Sequence, residues 1–445
     1  MASNLLSIAA SGTRAARSAL DITAQNIANA STEGYVRRSV QLSEVSASSG
    51  ILRSGDISLS GVRVSGVIRN ADAVRQAEVR RTGSDLARAN TDLAALKSTE
   101  SAVEQAGVYD AIVDFEAGLL QLSSNPTDPS LRAAAVASAQ TMADKFNIAA
   151  DSLTAVGDNL QFEASAKVDE ANVIGGELAR INVQLARAGE NSSDRATLLD
   201  QRDNLLTKLS NVADVSTQFA SDGSVTVRLG GSSGAVFVQG GNSASLEMAT
   251  AANGTISFAV NGQAITPTGG SLAGSAQALS YVAETRTRLD AMADGIAATV
   301  NEAQSNGAAL DGSDGQPLFT GTGAAGMSVA FTNGALLATA PAGSDPSSRD
   351  ASNLTSLRSA LETGGVAQNA SALLFDISSR VSSRQTTQEA LSSIATAASE
   401  ALNQQAGVDL DDEAANLLRF QLAFQASGRA MQVANDIFDT LLNIR

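Results

Sequence analysis

The side chains that could do chemistry gather at three places. Near the carboxy terminus Asp409, Asp411, Asp412 and Glu413 bring carboxylates close together, a grouping able to share a proton or hold a divalent cation. The same acids also suit the start of a helix, where they cap free N–H groups and complement the positive end of the dipole. No His or Cys stands anywhere in the chain to complete a site. Asp311-Gly-Ser-Asp314-Gly315 begins like a calcium loop but lacks the third ligand and the terminal Glu, which leaves a polar turn. Asp200, Arg202 and Asp203 sit one to three residues apart, a spacing that on a helix serves salt bridges and a turn contact.

Absent residue types narrow the chemistry further. With 0 His and 0 Cys there is no zinc site of the usual kind, no Cys nucleophile, no Ser-His-Asp triad and no disulfide framework. Carboxylates, Ser, Thr, Tyr, Lys and Arg remain, and none forms a recognisable constellation, so the chain reads as not an enzyme and as needing no cofactor or metal. The 445 residues carry 30 Lys plus Arg against 46 Asp plus Glu, a net charge of -16, which excludes a phosphate-binding basic surface and hence nucleic acid. Aromatics are only 3%, too few for platforms that stack bases or sugars.

No apolar run reaches the roughly 20 residues of a transmembrane helix, so no membrane insertion is expected. Met1–Ala10 is broken by Ser3, Asn4 and Ser7, and Arg14 and Arg17 follow it, the wrong order for a Sec-type signal. The expectation is a cytoplasmic protein, or one exported by a route that reads no cleavable signal.

The elements that position these residues follow from periodicity. All 6 Pro lie between Pro126 and Pro346, so both ends can hold long helices, whereas most Gly fall between Gly223 and Gly343. Val79, Leu86 and Leu93 recur every seven and predict a long helix. Ile112, Phe115, Leu119 and Leu122 predict another that Ser123-Ser124-Asn125-Pro126 stops. Phe146 to Leu160 and Ala171 to Leu185 give two further stripes. From Val212 the period becomes two, with strands at 224–229, 235–239 and 255–260 between the turn pairs Asp222-Gly223, Asn253-Gly254 and Asn261-Gly262. Val282, Leu289 and Ile296 restore a helix, residues 307–349 read as loop with one strand pair at most, and a helix resumes from about Asp350 to Gln405.

The fold class is therefore mainly α with a small β module: long coiled-coil-like terminal helices, a helical bundle rod and an antiparallel β insertion in the middle. Residues 1–40 and 408–445 form a terminal helical assembly domain. Residues 41–210, 271–306 and 346–407 form the helical body, 211–270 the β module, and 307–345 a Gly/Ser-rich loop or short strands.

At the amino end Leu6, Thr13, Leu20 and Ile27 alternate with Ala9, Ala16, Thr23 and Ala30, a coiled-coil seam of mostly small residues. At the carboxy end Leu410, Leu417, Phe424, Met431 and Phe438 alternate with Ala414, Gln421, Gly428, Asn435 and Leu442, where Gln421 and Asn435 would fix register. Burying each large residue returns about 1.5–3 kcal/mol, against about 1–2 kcal/mol of backbone entropy for every residue ordered. Both termini are therefore expected to be disordered in the monomer and to become helical when neighbouring copies cover them. A membrane-surface role fits poorly, since only Arg419, Arg429 and Arg445 are cationic.

Asn26-Ile27-Ala28-Asn29-Ala30-Ser31-Thr32-Glu33-Gly34-Tyr35 resembles the amino-terminal signature of the rod, hook and hook-associated proteins of the bacterial flagellum, the flagellar axial protein family. Val408-Asp-Leu-Asp-Asp-Glu-Ala-Ala-Asn-Leu417 is similar to its carboxy-terminal signature. Leu122-Ser-Ser-Asn-Pro-Thr-Asp128, Leu198-Leu-Asp-Gln-Arg-Asp-Asn-Leu-Leu206 and the ending Asn435–Arg445 narrow the resemblance to the hook–filament junction members. Glu33 replaces the family's usual Pro and Arg38 a common Gln, which predicts a less rigid turn after the first helix. Relatives often insert an outer β domain after Leu318-Phe319, and its loss here predicts one β module at most.

The resemblance implies a structural protein that leaves the cell unfolded through the flagellar type III export apparatus, with an uncleaved amino-terminal signal, and assembles as a ring at the distal end of the hook. It implies as partners copies of itself, the hook protein, the second hook–filament junction protein and an export chaperone; its place is extracellular, and cytoplasmic before export. The assembly motif is Asn26, Asn29, Gly34 and Tyr35, and the assembly and chaperone-binding helix carries Leu410, Leu417, Phe420, Phe424, Met431 and Phe438. The alternatives are another axial protein, hook-like or the second junction protein, and a surface adhesin whose β module binds glycan.

Overall fold

The computed structural model describes residues 2–47, 58–190 and 192–443. In chain order α1 (Ala2–Ala28) leads to strands β1 (Arg38–Ala47) and β2 (Ser58–Arg69), then to α2 (Ala73–Ala106), α3 (Val108–Ser124), α4 (Pro129–Arg187) and α5 (Ser193–Val212). Short strands follow: β3 (Val215–Phe219), β4 (Val225–Leu229), β5 (Ala235–Gln239), β6 (Asn242–Ser243), β7 (Leu246–Thr250), β8 (Ile256–Val260) and β9 (Gln263–Ile265). After α6 (Gly270–Ser305) come the two-residue strands β10 (Gly307–Ala308) and β11 (Phe319–Thr320), the single turn α7 (Gly323–Gly326), β12 (Ser328–Val329) and β13 (Ala340–Pro341). The chain ends in α8 (Ser352–Gly364), α9 (Val366–Ala406) and α10 (Leu410–Asn443).

Local chemistry sets the helix ends. Asp72 opens α2 by accepting from the N–H groups of Val74 and Arg75 at 2.8 and 3.1 Å. Gly107 closes it with φ 70°, a left-handed position that only Gly takes cheaply. Asp128 caps α4 in the same way, with Pro129 at the first helical position, where its missing N–H costs nothing.

The two apolar stripes read at 146–160 and 171–185 lie on one helix. α4 runs 59 residues, about 90 Å at 1.5 Å per residue. Its first half gives Met142, Phe146 and Leu153 to a core shared with α2, α3, α6, α8 and α9. Its second half gives Ala171, Ile174 and Leu178 to a core under β4, β5 and β8, where Val225, Val227, Phe237 and Val260 point inward. Buried Asn182 joins helix to strand, donating to the carbonyls of Val225 and Gly240 at 2.9 Å and accepting from the Val225 N–H at 2.8 Å.

The β module is two antiparallel sheets, in the orders β3-β4-β5-β6 and β7-β8-β9. Beyond it, Arg132 of α4 is 1% exposed and organises the Gly/Ser-rich segment without a carboxylate. Its guanidinium donates to the carbonyls of Pro126, Gly334 and Leu337 and to the Thr339 hydroxyl, at 2.6 to 3.1 Å.

Three expectations need correction. Residues 41–47 and 58–69, assigned to the helical body, pair as antiparallel strands with register shifts at Gln41/Leu42 and Glu44/Ser46, so strand pairing is not confined to one module. Two strands alone are marginal in water. This strand pair lies on α1, where the Ser11 hydroxyl accepts from the Val62 N–H at 3.2 Å, a tertiary contact that local periodicity does not signal.

The second concerns residues 307–349, which hold two short strand pairs, β10 with β13 and β11 with β12, and not one. At the chain ends α1 and α10 are helical and lie side by side. Third, Gln421 and Asn435 are exposed and take no part in the seam with α1. The side chain of Leu442, and Ile444 and Arg445, lie outside the described residues.

Candidate functional site

The turn after α1 gathers most of the amino-terminal motif. Asn26 is 1% exposed and uses its whole amide: Nδ2 donates to the Arg38 carbonyl at 2.8 Å, and Oδ1 accepts from the Arg38 N–H at 3.0 Å and from the Tyr35 hydroxyl at 2.9 Å. Asn29 turns the chain from the outside, donating to the Gln25 carbonyl at 2.8 Å and accepting from Thr32 Oγ1 at 3.3 Å. Gly34 has φ 75°, and a Cβ there would also come 3.2 Å from the Asn204 amide, so both conformation and space ask for Gly. The turn without proline is thus held by side-chain hydrogen bonds and by α5.

Tyr35 lies beneath the Arg38 guanidinium, 5.0 Å from ring centre. Burial pushes its hydroxyl pKa up; Arg38 opposes that, and Asp200 and Glu413 add to it. The hydroxyl therefore stays a donor to Asn26 at ordinary pH.

Arg37 and Arg38 point opposite ways and fasten this turn to two other segments. The Arg37 N–H donates to the Ala406 carbonyl at 2.9 Å, and its Nε donates to Glu413 Oε1 at 2.7 Å. Arg38 Nη2 donates to Asp200 Oδ2 at 2.9 Å and to Thr197 Oγ1 at 3.1 Å. Arg69 of β2 donates to the other oxygen of Asp200 and lies 2.7 Å from Asp203 Oδ2.

Asp203 also accepts from Gln76 of α2 at 3.0 Å and from both Nε and Nη2 of Arg202, whose Nη1 reaches the Gly223 carbonyl at 2.6 Å. Burial would raise the Asp203 pKa, but Arg202 and Arg69 outweigh it and hold the carboxyl below its ordinary value. The Asp200–Asp203 cluster read from the sequence is thus a buried ionic knot tying the β1–β2 pair, α2, α5 and the β3–β4 turn together. Its strength as a specifier lies in geometry, since removing one partner strands the others in a poorly solvated place.

The carboxy-terminal acids divide in the same spirit. Asp409 caps α10, accepting from the N–H groups of Asp411 and Asp412 at 2.9 and 3.2 Å, while Asp411 and Asp412 are exposed. Glu413 is instead buried against Arg37, a role its neighbours in sequence hide. Asp311 closes its turn by accepting from the Ser313 N–H and hydroxyl at 3.0 and 2.6 Å. Sequence reading found Asn26, Gly34, Tyr35, Asp200 and Asp203 but missed Arg37, Arg69 and Gln76. The adjacent pair Arg37-Arg38 beside a Tyr was the one available signal.

The contact between the terminal helices is made of small residues. α1 buries Ala9, Ala15, Ala16, Ala19, Ile22 and Thr23, and a Cβ on Gly12 would approach Ser427 Oγ to 2.9 Å, so the backbones run close. From α10 only Glu413 and Ala434 are buried among its described side chains. Leu417, Phe420 and Met431 are half-buried, and Leu410, Phe424 and Phe438 are exposed. Beside this seam α1, β2 and α10 enclose an apolar groove of about 640 Å³. No helix among the described residues is long and apolar enough to cross a membrane.

The chain is similar to known flagellar proteins. The family described as flagellar hook-associated protein FlgK helical domain matches residues 93–319, half of the chain. Flagella basal body rod protein matches residues 6–35, and flagellar basal body rod FlgEFG protein C-terminal matches 399–444, the two ends that pair here. Flagellar hook-associated protein 1 of Bacillus subtilis is 26% identical over 96% of this chain and 96% of its own length. The Escherichia coli protein of the same name is 25% identical over 100% of both. The solved flagellar hook junction protein FlgK from Burkholderia pseudomallei aligns with TM-score 0.50 and 25% identity, covering 55% of this chain and 46% of that one.

Proposed function

The chain belongs to the flagellar hook-associated protein FlgK family, and from that premise we propose how it serves as a structural component of the bacterial flagellum at the hook–filament junction. Copies assemble at the distal end of the hook, with α1 and α10 lengthwise in the inner tube and the helical body and β module outside. The array adapts the bent hook to the stiff filament, contacting hook protein below and the second junction protein above. Before assembly the chain leaves the cytoplasm unfolded through the type III export apparatus, read by its uncleaved amino-terminal segment, with a chaperone covering α10.

The observation that carries this reading is the antiparallel pairing of the two chain ends. α1 and α10 meet along a seam of Ala, Gly and Ser while large apolar residues of α10 stay uncovered. A soluble monomer gains nothing from such exposure, whereas a subunit of a tube covers it with neighbours. The ionic knot then transmits the position of the terminal pair to the body. Antibody raised against the β module, used for immunogold on isolated hooks, tests the reading. Gold confined to the distal end of the hook supports it, and gold along the hook supports a hook-like protein instead.

A further inference from the structure

Gln76, Arg80 and Ser84 stand four residues apart on α2 and so share one face of that helix. Gln76 donates to Asp203 in the ionic knot. One turn further on, Arg80 is 5% exposed, its Nη1 has no hydrogen-bond partner, and it forms no ion pair among the described residues. Arg38, Arg69, Arg80 and Arg202 are thus four largely buried guanidiniums around two carboxylates, Asp200 and Asp203, and Arg80 is the one left over. Burial pulls its pKa down; Asp203 opposes that and Arg202 adds to it. A buried cation in surplus calls for an anion.

Arg80 lines a pocket of about 200 Å³ between α2, α5, β3 and the loop before α6. The Ser84 hydroxyl, 6% exposed and also without a partner, lines it too. Gly269 stands against Ser84, so close that a Cβ there would run into the hydroxyl. It is the residue before α6, a helix of 36 residues with no side-chain cap, so the free N–H groups and positive dipole end of α6 border the pocket. Two carboxylates share the rim and both have partners. Asp85 lies 3.3 Å from Arg81, and Asp214 accepts from the Thr268 N–H and hydroxyl at 3.1 and 3.0 Å. Beside them, the oxyanion best accommodated is one with a proton of its own to donate. We propose that this pocket binds a small protonated oxyanion, hydrogen phosphate in type, between the Arg80 guanidinium, the Ser84 hydroxyl and the amino end of α6. Asp214 leads into the β module and Thr268 and Gly269 lead out of it, so the bound anion fastens both roots of the module to α2.

Calorimetric titration of the full chain with inorganic phosphate at pH 7, at constant ionic strength set by chloride, tests the proposal. The expected result is saturable binding, weakened about tenfold or more in Arg80→Met and unchanged in Lys97→Met, which removes an exposed cation elsewhere on α2. Sulfate, which only accepts, should bind the native chain more weakly. Should Arg80→Met fail to fold, Ser84→Ala removes one hydroxyl and should weaken phosphate binding about threefold or more. Hydrogen exchange is the second readout: phosphate should slow it at residues 214–217 and 268–270 and leave α9 unchanged. No saturable phosphate binding by the native chain would overturn the proposal and leave Arg80 as a fourth cation of the knot. Equal affinity in Arg80→Met, or in Ser84→Ala where that variant stands in for it, would overturn it by placing the anion elsewhere. Sulfate bound as tightly as phosphate would overturn the choice of a protonated ligand.

Discussion

Asn26 and Arg38 are joined as neighbouring strands are: the Asn26 amide donates to the Arg38 carbonyl at 2.8 Å and accepts from its N–H at 3.0 Å. One side chain thereby fixes the chain direction between α1 and β1, and so where Arg37 and Arg38 reach. Replacing Asn26 with Ala leaves both Arg38 groups and the Tyr35 hydroxyl without partners in a buried place. The expected loss is about 2–3 kcal/mol, at about 1–3 kcal/mol for each unsatisfied buried group with partial relaxation. Denaturant unfolding of the full chain measures it, and an unchanged midpoint would contradict the bridging role.

The ionic knot predicts a pH dependence. Burial raises the Asp203 pKa, Arg202 and Arg69 lower it more, and the folded value lies below the unfolded one. Asp203 therefore contributes stability at pH above its unfolded value near 3.9, and that contribution fades as pH falls through the folded value. Asp203→Asn should be less stable at pH 7, with a shallower loss as pH falls below the unfolded carboxylate value. Thermal melts across that range check it; parallel curves for the two proteins would mean the carboxylate is not depressed.

Pairing of α1 with α10 buries mostly alanine, and small seams return little free energy for the residues they order. In the free chain the terminal pair should exchange amide hydrogens faster than α4, by a factor of about 100 or more. Strong protection across Leu417–Phe438 in the monomer would show that the pair needs no neighbours.

Phe424→Asp with Met431→Asp places two charges on α10. Binding of the proposed export chaperone, read by calorimetry with the full chain, should fall about tenfold or more while the melting of the middle region stays unchanged. Retained affinity would mean the chaperone reads another face.

How much of this the sequence disclosed differs by element. Heptads placed α2 and α6, the stripe Ile112, Phe115, Leu119 and Leu122 placed α3, and Asp222-Gly223 and Asn253-Gly254 placed turns of the β module, because each signal is local. The pairing of β1 with β2 was missed although Val40-Gln41-Leu42-Ser43 and Val62-Arg63-Val64-Ser65 alternate, because these runs are short and the contact with α1 that sustains them is tertiary. Arg132 was invisible for a related reason. Its partners Pro126, Gly334, Leu337 and Thr339 are backbone or hydroxyl groups scattered along the chain, which no pattern of charges announces. In the candidate site, Asp200 and Asp203 stood out as neighbours on one helix, whereas Arg69 and Gln76 reach them from β2 and α2. Glu413 was concealed among helix-start acids until Arg37 was found against it.

The most direct test of the junction role is electron microscopy of flagella from a strain deleted for this gene and then complemented with the full chain. Bare hooks, with filament subunits lost to the medium and filaments restored on complementation, are the predicted result. Intact filaments on the deleted strain would contradict it.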